Sequence, residues 1–265
     1  MTSAREARVP IAGGVEMPLL GLGTWQMRGD TARAAVAEAL EVGYRLLDTA
    51  QMYANEAEVG RAVAESGLAR EAVFVTTKMW PDRAGQEREA LLESLEALGL
   101  DQVDLWLVHW PPQGGARPDV WERFLDAARD GLARTVGVSN YSVGQLGELV
   151  RATGRAPSVN QIEWGPALYD PDTVARHQEL GVRLEAYSPL RTTNLRDRRL
   201  ARIAEAHDAT PAQVVIRWHL QHEIPVIPKS ARPERIAENA AVFGFELSSS
   251  EMAALDALGP GARRD

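Results

Sequence analysis

Residues 73–109, VFVTTKMWPDRAGQEREALLESLEALGLDQVDLWLVH, hold the pattern from which the fold is read. An apolar run (73–77) ends in Lys78, a stretch with helical spacing follows (86–98), and a second apolar run (103–108) ends in His109. Short apolar runs suit buried strands, whereas apolar positions recurring at three and four residues suit one face of a helix. Two strands joined through a helix pair in parallel, with the helix covering the sheet.

The same rhythm continues in both directions. Apolar runs at 19–22, 44–47, 73–77, 103–108, 135–138, 158–162, 182–186 and 224–227 make eight predicted strands. Amphipathic stretches at 31–41, 56–66, 86–98, 120–128, 145–152, 173–180 and 211–221 lie between them. Ser142 and Asp170 are expected to cap the helices that follow them, and Thr210-Pro211 reads as a cap with proline at the first helical position. Ahead of the first run, Arg8-Val9-Pro10-Ile11 and Val15-Glu16-Met17 flank Ala12-Gly13-Gly14 as a small hairpin. The expectation is an α/β fold: one (β/α)8 TIM barrel with a short N-terminal β-hairpin, a single domain over residues 1–265. A doubly wound sheet is the alternative. Its dinucleotide fingerprint breaks at Gly21-Leu22-Gly23-Thr24-Trp25-Gln26, where the third glycine is missing.

A net charge of -8 argues against a general nucleic-acid or anionic-membrane surface, so any anion site must be built locally. The absence of cysteine excludes disulfides, a thiol nucleophile and thiolate metal sites. Residues 1–10 lack an apolar signal core, and no run approaches the roughly 18 apolar residues of a membrane span. A cytoplasmic monomer acting on a small molecule is expected. Of 29 basic residues only Lys78 and Lys229 are lysine. Lysine is a compact point charge whose pKa yields to its surroundings, which suits it to catalysis and to single-phosphate contacts.

In a barrel of this kind the carboxyl ends of the strands share one face, and chemistry is found there. The runs end at or near Asp48, Lys78, His109, Ser139-Asn140, Asn160-Gln161, Tyr187-Ser188 and Lys229-Ser230, and Tyr53 lies five residues beyond Asp48. Singly, each has an ordinary structural explanation. Together they describe a tuned proton donor. A phenol with a pKa near 10 is a slow acid at neutral pH unless a cation stabilises the phenolate. Lys78 is the candidate cation, Asp48 would keep it charged, and His109 would orient a carbonyl oxygen. These residue types suit carbonyl reduction.

Six motifs in order carry a family resemblance from Val9 to about Leu258. They are Leu46-Leu47-Asp48-Thr49-Ala50 through Tyr53 and Asn55-Glu56; Phe74-Val75-Thr76-Thr77-Lys78; Val103-Asp104-Leu105 through His109-Trp110-Pro111; Val136-Gly137-Val138-Ser139-Asn140; Asn160-Gln161 with Glu163 and then Ala186-Tyr187-Ser188-Pro189-Leu190; and Ile227-Pro228-Lys229-Ser230 through Arg235 to Glu238-Asn239. The chain resembles the aldo-keto reductases, in particular the prokaryotic aldehyde and diketo-gluconate reductases. The resemblance implies reduction of an aldehyde or ketone with NADPH, without metal, using Asp48, Tyr53, Lys78 and His109 as the catalytic set. It places the cofactor on Gly23, Thr24, Trp25, Asp48, Ser139, Asn140, Gln161, Tyr187, Ser188 and Leu190. The 2′-phosphate and adenosine fall to Lys229, Ser230, Arg232, Arg235, Glu238 and Asn239. Trp25, Trp80, His109 and Trp110 would wall the substrate mouth, and Trp164 is a weaker candidate.

Three departures stand out. Ala54 replaces a usual glycine, Gly165 stands where histidine is common, and both the segment 191–197 and the tail after Leu258 look short, which predicts an open site with broad substrates. Small aldehydes, α-keto esters and diketo sugar acids are the candidate carbonyls. Two other functions fit parts of the pattern: a non-catalytic nicotinamide-binding regulatory subunit, and a lyase using Lys78 as a Schiff-base nucleophile. His219 and His222 have helical i, i+3 spacing but precede the eighth strand, away from the rim, and read as a packed or solvated pair rather than a metal site.

Overall fold

Alternation of apolar and polar residues in Arg8–Ile11 (β1) and Val15–Pro18 (β2) folds them into an antiparallel hairpin in the computed structural model, which describes residues 7–260. Residues 1–6 and 261–265, which include part of the stretch read for a signal core and both ends of the expected domain, lie outside the described residues. Gly13 and Gly14 form the turn at φ 85° and 70°, values that a side chain disfavours. Val9, Ile11, Val15 and Met17 are buried. Thr135 Oγ1 donates to the Ala12 carbonyl and Arg183 Nη2 to that of Pro10, so the hairpin covers the barrel end where strands begin.

Eight parallel strands follow: Gly21–Gly23 (β3), Leu46–Asp48 (β4), Phe74–Met79 (β5), Val103–Val108 (β6), Ala133–Ser139 (β7), Val159–Glu163 (β8), Arg183–Tyr187 (β9) and Val226–Ile227 (β10). Each pairs with its neighbours in chain order. A parallel bridge between Leu20 and Val226, with Val226 N–H on the Leu19 carbonyl at 2.9 Å, brings the last strand against the first and nearly closes the (β/α)8 barrel. Strands β5 and β6 are buried along their whole length, as strands covered on both faces must be.

The outer layer consists of Gly29–Val42 (α1), Glu56–Glu65 (α2), Glu87–Leu98 (α3), Pro118–Arg129 (α4), Val143–Thr153 (α5), Pro171–Glu179 (α6), Arg198–Ala206 (α7), Pro211–Gln221 (α8), Pro233–Ala240 (α9) and Ser249–Asp256 (α10). Ser142 and Thr210 close full capping boxes with Gln145 and Gln213. Asp170 precedes α6 as expected, but its carboxylate accepts from Thr173 Oγ1 at 2.7 Å and caps no backbone N–H. Trp106 stacks on Phe124 with centroids 3.7 Å apart, fastening β6 to α4. His219 is buried with Nδ1 on the Val215 carbonyl, and His222 Nε2 meets Asp256, joining α8 to α10. No helix among the described residues is long and apolar enough to cross a membrane.

Candidate active site

Strand register sets the floor of the site. Asp48 ends β4, and Lys78 lies next to the end of the adjacent β5, so the two side chains meet inside the barrel mouth. Lys78 is 0% exposed, and its ammonium donates to Asp48 Oδ1 at 2.5 Å, to the Thr49 carbonyl at 3.0 Å and to Tyr53 Oη at 3.5 Å. Tyr53 reaches this group because residues 51–53 form a single 3-10 turn closed by Ala54 in the left-handed region, φ 51° and ψ 43°. His109 follows β6, its N–H on the Met79 carbonyl, and its ring stands edge-on to Tyr53 at 5.7 Å and to Trp80 at 5.9 Å.

Burial alone pushes Lys78 down, but the charge of Asp48 and its hydrogen bond outweigh that and leave Lys78 above the usual lysine range, so it stays an ammonium. Burial pushes the Asp48 carboxyl up against the pull of Lys78 and of a hydrogen bond from Gln161. Sequence reasoning expected Lys78 to lower Tyr53. Its pull is present, yet burial outweighs it, Asp48 opposes it, and Tyr53 stands above the usual phenol value. Tyr53 therefore keeps its proton at neutral pH. Burial, helped by the Lys78 charge, lowers His109 to about 3, and the ring is neutral at physiological pH. Its Nδ1 is buried without a hydrogen-bond partner. An unpaired N–H there would cost more than an unpaired lone pair, which favours the tautomer carrying its proton on Nε2.

These groups open into a cavity of about 730 Å³, within the usual range for small-molecule sites. The cavity brings together Gly23, Trp25, Asp48, Tyr53, His109, Trp110, Ser139, Asn140, Gln161, Tyr187, Ser188, Leu190 and Lys229 from the sequence-predicted set. Trp25 and Trp110, 44% and 47% exposed, flank its mouth. Ser139 donates to the Gln161 carbonyl at 2.8 Å, Asn140 donates to Ser139 Oγ and to the His109 carbonyl, and Tyr187 Oη donates to Asn140 Oδ1 at 2.8 Å. Gln26, Asn140 and Ser188, all in the cavity wall, adopt positive φ of 60°, 64° and 53°. Strain of this kind gathers at functional sites.

Other sequence-predicted residues lie outside the cavity wall. Thr24 is buried with its hydroxyl on the Asp48 carbonyl, and Trp80 sits behind His109 with its indole N–H on Asp82. Ser230 Oγ accepts from Arg232 N–H at the start of α9, which carries Arg235. Glu238 Oε1 accepts from Thr210 Oγ1, tying α9 to the cap of α8, and Asn239 is buried. Trp164 is buried beside Tyr169.

At Gly165 the segment 189–193 packs directly against the backbone. A Cβ there would lie 2.3 Å from Thr192 Oγ1 and 3.1 Å from the Pro189 carbonyl, so Thr192 fills the space a side chain would take. Two features of the site were not singled out in the sequence. Arg191 forms an ion pair with Glu163 across the wall. Glu185, 0% exposed on β9, accepts from Gln161 Nε2 at 2.9 Å. A carboxylate inside an apolar run, Val182 to Ala186, was the available signal for it.

The sequence model of the Aldo/keto reductase family matches residues 19–260, and the chain belongs to that family. It is 43% identical to a morphine 6-dehydrogenase of Pseudomonas putida over 96% of this chain and 92% of that protein. It is 42% identical to a glyoxal reductase of Bacillus subtilis, over 97% and 95%. A crystal structure of a Bombyx mori aldo-keto reductase in complex with NADP superimposes with a TM-score of 0.88 at 33% identity, covering 98% of this chain and 94% of that one.

Proposed function

We propose that this chain is an NADPH-dependent reductase of small aldehydes and ketones in which Tyr53 donates the proton. The observation that carries the reading is the buried Asp48–Lys78 pair, with Tyr53 Oη 3.5 Å from the ammonium and a neutral His109 ring beside it. The cavity wall suits the cofactor named for the Bombyx mori relative. Tyr187 offers a half-buried ring, Ser139, Asn140 and Gln161 supply amide and hydroxyl groups, and Lys229 stands exposed in the same wall. Lys229, Ser230, Arg232 and Arg235 would hold the 2′-phosphate, a point charge and guanidinium groups in an otherwise acidic chain. NADPH, when bound, supplies the hydride.

The rest is done by side chains. His109 Nε2–H orients the carbonyl oxygen toward the phenol. As charge develops on that oxygen, the Tyr53 proton transfers to it, and the phenolate left behind faces the Lys78 ammonium. Asp48 keeps Lys78 protonated and directed. A ring lowered to about 3 carries no second proton at neutral pH, so His109 orients rather than protonates. Trp25 and Trp110 leave the mouth open, in keeping with small and varied carbonyls: glyoxal, simple aldehydes, α-keto esters and diketo sugar acids. The chain would work as a single-domain cytoplasmic monomer.

A Schiff-base lyase needs a neutral amine within reach of substrate, and Lys78 is a buried, fully engaged ammonium. NADPH consumption with glyoxal and simple aldehydes tests the proposal. Steady consumption is expected; tight NADPH binding without consumption by any of these carbonyls would favour a regulatory subunit instead.

A further inference from the structure

Gln161 Nε2 donates to two carboxyl groups at once, Asp48 Oδ2 at 2.8 Å and Glu185 Oε2 at 2.9 Å. The first bond crosses the barrel mouth from β8 to β4, and the second runs sideways to β9, where Glu185 is in register with Gln161. An amide nitrogen has two hydrogens, and both are used. Turning the amide over would set its oxygen against the Asp48 carboxylate, which can only accept. One carboxyl alone would leave the second hydrogen free and the amide less constrained, so Glu185 completes the constraint.

Glu185 takes no part in the proton relay described above. It is fully buried, and its Oε1 has no hydrogen-bond partner. Such a carboxyl is costly, and an apolar side chain of similar size would fill the strand position at lower cost. We propose that Glu185 is a positioning residue that holds the Gln161 amide oxygen toward the cavity, where it accepts a hydrogen bond from the carboxamide NH2 of nicotinamide. The proposal rests on the nicotinamide reading above. Protonated or ionised, Glu185 Oε2 remains an acceptor, so the constraint persists through the neutral pH range.

The test compares NADP+ with its 3-acetylpyridine analogue, in which a methyl replaces the carboxamide NH2. Binding is followed by quenching of tryptophan fluorescence, because Trp25 lies in the cavity 4.9 Å from the Tyr53 ring. The native chain should bind NADP+ about tenfold more tightly than the analogue, the worth of one hydrogen bond. Glu185→Leu should bring that ratio to about one by weakening NADP+ alone, as expected for one lost hydrogen bond. Glu185→Gln, whose amide oxygen still accepts from Gln161, should keep it. If Glu185→Leu does not fold, Glu185→Met carries the same expectation. A ratio that survives in the apolar variant, or that is lost equally in Glu185→Gln, overturns the proposal. Failure of the native chain to bind NADP+ at all would instead refute the cofactor reading.

Discussion

The stability difference between Glu185→Gln and the native chain should shift steadily in favour of the variant as pH rises from 5 to 8. Burial first, and then the nearby Asp48 charge, raise the Glu185 carboxyl from its ordinary 4.5 to about 8. Between those values the folded chain holds a proton on Glu185 that the unfolded chain has lost. Stability falls with rising pH wherever the folded state binds more protons, by about 1.4 kcal/mol per pH unit for one proton. The native chain therefore loses on the order of 5 kcal/mol from this group between pH 4.5 and 8. Glutamine, which does not titrate, loses none. Any fixed cost of the amide, such as leaving its NH2 at the unpartnered Oε1 position, is the same at every pH and cancels in the slope. Urea denaturation of both proteins at pH 5, 6, 7 and 8 measures the difference. A difference that stays flat across this range would show that Glu185 is ionised throughout and that its surroundings do not disfavour the charge.

Ala54 sits at φ 51° on the turn that presents Tyr53, so Ala54→Gly should add about 1 kcal/mol and raise Tm by roughly 2–4 °C; an unchanged or lower Tm would contradict the strain. Gly165→Ala should cost about 1–3 kcal/mol through its overlap with Thr192, and adding Thr192→Ala should recover most of it in the same denaturation assay. Arg235→Ala should raise KM for NADPH about tenfold or more while leaving KM for NADH nearly unchanged, as loss of a charge-assisted phosphate contact requires. Equal changes for the two cofactors would remove Arg235 from the 2′-phosphate site.

The barrel was legible because its strands are short apolar runs separated by helices with clear periodicity; all eight runs overlap observed strands. The helices that escaped were α7, a nine-residue segment dominated by arginine and alanine, and α10, of eight residues. Short helices lack the turns over which periodicity accumulates, and α10 buries only Leu255. Asp170 was read correctly as a helix boundary but not as a cap, because Thr173 Oγ1 competes for its carboxylate. The convergence of Asp48, Lys78, Tyr53 and His109 followed from strand ends sharing one face. The net direction of the Tyr53 shift did not, since it depends on how deeply the phenol is buried as well as on the distance to Lys78. Glu185 was hidden for a related reason: side-chain direction within a buried parallel strand leaves no alternation to read.

Tyr53→Phe removes one oxygen from the site and leaves the ring that packs against Trp25 and His109. Measured side by side, the NADPH dissociation constant should stay within about twofold of the native value, while kcat for glyoxal reduction falls by about 100- to 10,000-fold, the range for loss of a general acid. Turnover that persists near the native rate with the phenol hydroxyl gone would contradict the assignment of the proton donor, and with it the role given to Lys78 and Asp48.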